Sequence, residues 1–161
     1  VRQYCQRHLI LRTSWVVGVH GNNFLKTILR LASERDSLRI VVDQIGAPTT
    51  TDLLAKVTLE ALHTMLPAGQ DDARFGTYHV APKGETSWHA YAKYVIDGAV
   101  KRGRDLKCKS ESVEPIPTSA YPLPAPRPAN SRLNTEKIRA TFGIELPKWQ
   151  IGVDAILDAL I

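Results

Sequence analysis

The sequence predicts an α/β protein with at least some parallel sheet. Short apolar runs of strand length alternate with longer segments of helical period. Gly, Asn, Asp and Pro clusters punctuate each change. The whole fits 161 residues that are 43% hydrophobic and 23% charged, one ordinary globular unit with enough apolar material for a core. The first run, His8–Thr13 (HLILRT), reads as a buried strand, and Gly18–Asn23 (GVHGNN) as a loop. Asn23–Arg35 reads as a helix: Leu25, Ile28, Leu29 and Ala32 recur on one face, and Asn22 or Asn23 caps its start. Leu38–Val42 is a second strand, ended by Asp43-Gln44-Ile45-Gly46-Ala47-Pro48. Thr50 or Thr51 caps a helix that runs to about Leu66, ahead of Pro67, with Leu54, Val57, Ala61 and Met65 as its stripe.

Gly76–Ala81 is a third strand, closed by Pro82-Lys83-Gly84. Thr86 or Ser87 caps the next helix, which ends near Arg102 and turns Trp88, Tyr91, Ala92, Val95, Ile96 and Ala99 to one side. Prolines 115, 117, 122, 124, 126 and 128 then exclude a helix and leave at best an edge strand plus extended chain. Periodic helices resume beyond them, so the segment is a surface crossing rather than a domain linker. Asn134 caps a short helix stopped by Gly143. A last helix follows Pro147, striped by Trp149, Val153, Ile156, Leu157 and Leu160.

Composition narrows the partners. Lys and Arg number 21 against 16 Asp and Glu, a charge of +5, which suits an anionic ligand but is also reached for solubility alone. The basic residues are scattered except for Lys101, Arg102, Arg104, Lys107 and Lys109, a solvated helix end without interleaved aromatics; no nucleic-acid partner is expected. No run of about 18 apolar residues offers a membrane span, and the start lacks the apolar core of a signal peptide. Cys5 and Cys108 lie far apart with no CxxC spacing, so free thiols in a reducing cytoplasm are expected, a single disulfide being the lesser alternative. The only methionine is Met65, so the sequence as given reads as a fragment.

Several chemistries leave no trace. GxGxxG, GxxxxGK[ST] and GxSxG are all absent. His8, His20, His63, His79 and His89 show no metal-ligand spacing; His63 and His89 sit on helices and read as packed or solvated. Nothing in the sequence supports Mg2+. Three strand-end segments remain, where ligands bind in open α/β sheets. They are Arg12–Gly18 continuing to Gly21–Phe24, Asp43–Thr49, and Arg127–Leu133.

The blocks RTSWVVGVHGNNFLKTILRLA, VVDQIGAPT, HVAPKGETSWHAYA and PRPANSRLNTEKI, in that order, resemble the dTDP-4-dehydrorhamnose reductases. These are extended short-chain dehydrogenase/reductases, and the resemblance covers essentially the whole chain. It implies a Rossmann-like, NAD(P)-binding fold with a substrate-binding subdomain, of which residues 1–161 form a single C-terminal portion. The implied reaction reduces dTDP-4-dehydro-L-rhamnose to dTDP-L-rhamnose, a cell-wall and O-antigen precursor. Hydride comes from NADPH (or NADH) and the proton from a Tyr. Enzymes of this family are about twice as long, the size of two usual domain allotments. Their N-terminal GxxGxxG turn and their Tyr-x-x-x-Lys pair have no match here. Four residues after Tyr4, Tyr78, Tyr91, Tyr94 and Tyr121 stand His8, Pro82, Val95, Gly98 and Ala125. Val1–Arg7 resembles the tail of the helix that carries that pair, so no catalytic residue is assigned and the chain alone is expected to be inactive.

The resemblance also assigns site residues. Trp15 would line the sugar pocket, against the alternative of a core tryptophan. Thr13, Ser14 and Val16 would run past the nicotinamide, although a plain strand end looks the same. Asn22 and Asn23 would meet the nucleotide-sugar, against plain helix capping. Gln44 would wall the thymidine site, with Gly46 and Pro48 serving a tight turn. Arg127 would grip the diphosphate, as a guanidinium matches phosphate oxygens in pairs; Lys26 and Arg12 are weaker candidates. Val17 stands where the family commonly has Tyr, so a pocket contact is lost. The expected partner is a dTDP-sugar, with no membrane. Half of a doubly wound sheet leaves the edge at His8–Thr13 uncovered, which predicts a homodimer or association through that edge. Competing readings are a non-catalytic nucleotide-sugar-binding or interaction module, and another nucleotide-sugar reductase or epimerase of the superfamily. The GNNF and DQIGAPT blocks argue against the last.

Overall fold

The computed structural model describes every residue except Arg2, Gln70, Asp71, Leu123 and Pro126. The expectation that Pro126 belongs to an extended crossing therefore lies outside the described residues. In chain order the elements are β1 (Leu9–Arg12), β2 (Val16–Val17), α1 (Phe24–Glu34), β3 (Leu38–Val41), β4 (Ile45–Gly46), β5 (Thr49–Thr50) and α2 (Thr51–Met65). They continue with β6 (Gly76–His79), β7 (Thr86–Ser87), α3 (Trp88–Lys101), β8 (Val113–Ile116), α4 (Glu136–Phe142) and α5 (Trp149–Leu160). Three strand pairs are parallel: β1 with β6, β2 with β5, and β3 with β8. The fourth, β4 with β7, is antiparallel. Parallel pairing confirms the α/β reading, but the strands form four separate two-stranded ladders among the described residues.

The helices start where small polar side chains can take an orphan amide. Asn23 accepts from Lys26 N–H to open α1, Thr50 from Leu53 N–H to open α2, and Ser87 from Ala90 N–H to open α3. At α4 the N-cap is Thr135, not Asn134; Asn134 instead accepts from Glu136 N–H at 2.8 Å, an Asx turn one residue early. Gly143, at φ 67°, ends that helix in the left-handed region. On α2 the buried face is Leu53, Val57, Ala61 and Met65, while Leu54 is only partly covered. Of the helix tail expected over Val1–Arg7, one turn is described, with Tyr4 N–H and Cys5 N–H both on the Val1 carbonyl. Within the proline-rich segment, β8 carries Pro115 and among the described residues pairs only with β3, so it is the edge strand that the proline demands.

Two cores result. The larger joins α1, α3, α5 and the β3–β8 ladder through residues such as Ile28, Tyr91, Ile96 and Leu157. The smaller lies under β1 and β6, closed by α2 and α4 through Val57, Tyr78, Ile138 and Leu146. The trace of α3 lies so close to α5 that a Cβ at Gly98 would fall 2.6 Å from Leu157 Cδ1. Val17, in the place of the family's Tyr, is buried in the larger core. Cys5 and Cys108 are both free thiols, and burial pushes the Cys108 thiol up. No described helix is long and apolar enough to cross a membrane.

The Tyr91 hydroxyl is buried without a hydrogen-bond partner, and burial pushes its pKa above the ordinary range of a phenol. An unpaired buried hydroxyl costs about 1–3 kcal/mol. Tyr91→Phe should therefore leave the urea midpoint unchanged or raise it, unlike an ordinary core substitution. A lowered midpoint would reveal a partner for the hydroxyl.

Candidate functional site

The three segments picked out as strand ends meet in space. Thr49 N–H donates to the Trp15 carbonyl at 3.1 Å, tying the segment after β1 to the one before α2. Ile45 N–H donates to the Ala129 carbonyl and Ser131 N–H to the Ile45 carbonyl, both at 2.8 Å, and this ladder-like bridge adds Arg127–Leu133. Ser14 Oγ closes the triangle by donating to the Ser131 carbonyl at 3.2 Å. A cleft of about 300 Å³ lies between Ser14, Gly46, Ala81, Gly84, Ser131 and Arg132. Larger recesses, about 530 and 550 Å³, lie at α4 and on α2, away from the converging loops.

Trp15 sits at the centre. Its φ of 51° makes it the one non-glycine residue at positive φ among the described residues. For an ordinary L-residue that conformation costs roughly 1–2 kcal/mol, so the surroundings must hold it. Its ring stacks on Trp88, with centroids 3.6 Å apart and planes 15° from parallel. Gly46 lies against the indole: a Cβ there would fall 2.6 Å from Trp15 Cε2. Phe24, at the start of α1, packs on Trp88 at 4.5 Å and so carries the aromatic contact into the larger core.

A chain of polar contacts backs the stack. Trp88 Nε1–H donates to Gln44 Oε1 at 3.2 Å, and Gln44 Nε2–H donates to Thr118 Oγ1 at 3.1 Å. Thr118 Oγ1–H donates to Asp43 Oδ1 at 2.6 Å, and Thr118 N–H reaches both Asp43 oxygens at 2.9 and 3.1 Å. These bonds, the Thr118 hydroxyl first and its N–H second, hold the Asp43 carboxyl below its ordinary 3.8.

Set against the sequence expectations, two amides are engaged within the fold. Asn23 accepts from Lys26 N–H through Oδ1, which caps α1, and donates to the Gly18 carbonyl through Nδ2 at 2.8 Å, which ties the preceding loop to the helix start. Gln44 is buried, and each end of its amide makes one bond in the chain described above. Asn22 is exposed at the mouth of α1, and Lys26 Nζ donates to the Gly21 carbonyl at 3.0 Å and braces the same loop. Val16 is half exposed, Ser14 is spent on Ser131, and the Thr13 hydroxyl is buried without a partner. Arg127 and Arg12 are exposed.

Sequence reasoning missed Arg132, which lines the cleft and pairs with Glu85 at 3.1 Å. It also took Trp88 for one more member of a core stripe. Its position in the first turn of a helix, right after a strand, was the available signal that it could face the site. Among the described residues no group of three or more His, Cys, Asp or Glu side chains could hold a metal ion.

Fold and site together define part of a Rossmann-like extended short-chain dehydrogenase/reductase, with loops gathered at strand carboxyl ends. The chain belongs to the RmlD substrate binding domain family, whose model matches residues 1–161. It is 47% identical over 160 residues to the dTDP-4-dehydrorhamnose reductase of Escherichia coli, covering 99% of this chain and 52% of that protein. To the protein of the same name from Salmonella typhimurium it is 48% identical over 156 residues, 97% of this chain and 50% of the relative. The crystal structure of dTDP-4-dehydrorhamnose reductase from Bacillus anthracis in complex with NADP matches with a TM-score of 0.80 at 33% identity, over 94% of this chain and 48% of that one. The chain spans about half the length of the curated relatives it matches.

Gly46→Ala should force the Trp15 ring off Trp88 and cost about 1–3 kcal/mol, as overpacking does, with a changed tryptophan emission spectrum. Wild-type stability and emission would show that the ring has room to shift. The Asp43 carboxyl gives a pH signature. Its folded pKa is lowered, so the stability it contributes is complete above the ordinary 3.8 and is lost as pH falls through the folded value. The stability difference between wild type and Asp43→Asn should therefore be constant from neutral pH down to about that point and shrink below it. A difference that grows on acidification would contradict the assignment.

Proposed function

We propose that this chain is the C-terminal, substrate-binding portion of a dTDP-4-dehydrorhamnose reductase, which reduces dTDP-4-dehydro-L-rhamnose to dTDP-L-rhamnose with NADPH. The observation that carries the reading is the meeting of the three strand-end segments beside Trp15, a partly exposed residue whose ring stacks on Trp88. An indole face at strand ends suits a deoxysugar ring, which is apolar on one side. Arg127 and Asn22, both exposed on the converging segments, are the groups free to meet the diphosphate and its sugar. Asn23 and Gln44 act by building the walls, since their amides are engaged within the fold.

The reaction adds a hydride to the C4 carbonyl carbon and a proton to its oxygen. NADPH, or NADH, would supply the hydride when bound. The residues here fit one edge of a nicotinamide and no more: Val16 offers an apolar surface, while the Thr13 and Ser14 hydroxyls are turned into the fold. No glycine-rich phosphate turn and no Tyr-x-x-x-Lys pair occurs in the 161 residues, so the chain alone lacks the proton donor and is inactive. The β1 strand has one ladder partner among the described residues, and its other edge is the surface for a homodimer or for association with further polypeptide. The reading carries a cytoplasmic location and involves neither nucleic acid nor membrane.

The second reading, a non-catalytic nucleotide-sugar-binding module, rests on that absent pair. Calorimetric titration decides between a formed half-site and none. dTDP-L-rhamnose should bind the chain, with binding abolished by Trp15→Ala and weakened at least about tenfold by Arg127→Ala, as loss of a charged hydrogen bond allows. NADPH should bind weakly, and NADPH oxidation should be absent. Turnover by the purified chain would refute the inactive-alone claim. Failure of dTDP-L-rhamnose to bind would refute the half-site.

A further inference from the structure

Trp15 needs restraint from outside itself. Its backbone is strained, the residue keeps part of its surface exposed, and its indole N–H makes no hydrogen bond among the described residues. Stacking on Trp88 and contact with Gly46 hold the ring, so the plane of Trp88 sets the plane of Trp15. Trp88 is held by packing on Phe24 and by the polar chain behind it, and that chain has a single direction. An indole N–H can only donate, so Gln44 must turn Oε1 toward Trp88. The amide orientation is then fixed, and Nε2–H faces Thr118 Oγ1, which must accept. The one hydroxyl hydrogen of Thr118 is left to donate to Asp43, an acceptor-only carboxylate, in a short charge-assisted bond. No flipped amide or rotated hydroxyl satisfies all three links. Thr118 lies 75 residues from Asp43 and 74 from Gln44, in the turn that follows β8, so the same contacts pin the proline-rich crossing to the loop after β3.

We propose that Trp88, Gln44, Thr118 and Asp43 form a one-way hydrogen-bond relay that fixes the ring of Trp15, and that they are positioning residues for the sugar side of the site. The assignment rests on the reading that Trp15 meets the sugar. It makes Gln44 a support for the pocket rather than a ligand. It also gives Asp43, an exposed carboxylate that touches no substrate in this scheme, control over a ring reached only through three other side chains.

The test uses the intact chain and two readouts. A stacked indole pair gives a far-ultraviolet circular dichroism couplet, which reports the Trp15–Trp88 geometry without any ligand. Titration with dTDP-L-rhamnose reports what that geometry does for binding. Trp15→Ala abolishes the couplet and serves as the reference. Asp43→Ala and Thr118→Val should keep a cooperative melt, diminish the couplet, and weaken binding about threefold to tenfold, the range of one to two net hydrogen bonds. Trp88→Phe, which keeps an aromatic face but loses the N–H, should weaken binding to the same degree. Asp43→Asn, which keeps the size and one acceptor oxygen, should restore part of both signals. A wild-type couplet in Asp43→Ala and Thr118→Val overturns the relay. A diminished couplet with wild-type affinity overturns its positioning role. If Trp15→Ala binds as well as wild type, or wild type does not bind, the sugar-pocket reading fails and takes the positioning role with it, while the couplet alone still separates an intact relay from a broken one.

Discussion

The Trp15–Trp88 stack joins the segment after β1 to the start of α3. Trp15 follows β1, the strand that helps cover the smaller core, and Trp88 opens α3, the helix at the heart of the larger one. Burial of the two cores does not by itself fix how the strand-end loops lie against each other. The stack and the backbone bonds around it do: Trp15 to Thr49, and Ile45 to Ala129 and Ser131. With centroids 3.6 Å apart the two rings lie nearly face to face, so the pair gains little beyond its buried area, while the strained backbone of Trp15 costs about 1–3 kcal/mol. The net stabilisation is small. The return is geometric, since one apolar ring face is held at the meeting point of three loops.

Physical chemistry made the framework readable. Asn23, Thr50 and Ser87 each precede an apolar stripe, and each accepts the amide that a helix start leaves open. Gly143 stops α4 because only a residue without Cβ enters the left-handed region freely. The paired strands β2–β5 and β4–β7 escaped notice because two residues cannot display a period. On α2, Leu53 and Leu54 are equally apolar neighbours, and tertiary packing chose the first. At α4 the expected cap slipped by one residue because Asn134 could satisfy the Glu136 amide from outside the helix.

The site was half readable for a different reason. The three segments were identifiable as strand ends, and the ordered motif blocks pointed to a nucleotide-sugar reductase fold that the family match bears out. The roles of single amides were not readable, because an Asn or Gln side chain takes its meaning from partners distant in sequence. Gln44 gains its partners from residues 44 and 74 positions away. Asn23 is the nearer case: its Lys26 contact is what capping predicts, but its bond to the Gly18 carbonyl depends on the loop's fold. Trp88 shares a helical stripe with true core residues, and only the three-dimensional path of the loop after β1 shows that its ring faces Trp15.

The central claim is that this chain, by itself, already presents an ordered Trp15 face to a sugar nucleotide. Indole N–H resonances of Trp15 and Trp88 read it directly, and the backbone amide of His63, on α2 beside the recess away from the converging loops, serves as an internal control. The account predicts sharp, dispersed indole signals, with those of Trp15 and Trp88 moving on addition of dTDP-L-rhamnose while the His63 amide stays in place. A broadened or absent Trp15 signal in the free chain, or a ligand response shared equally with His63, would contradict it.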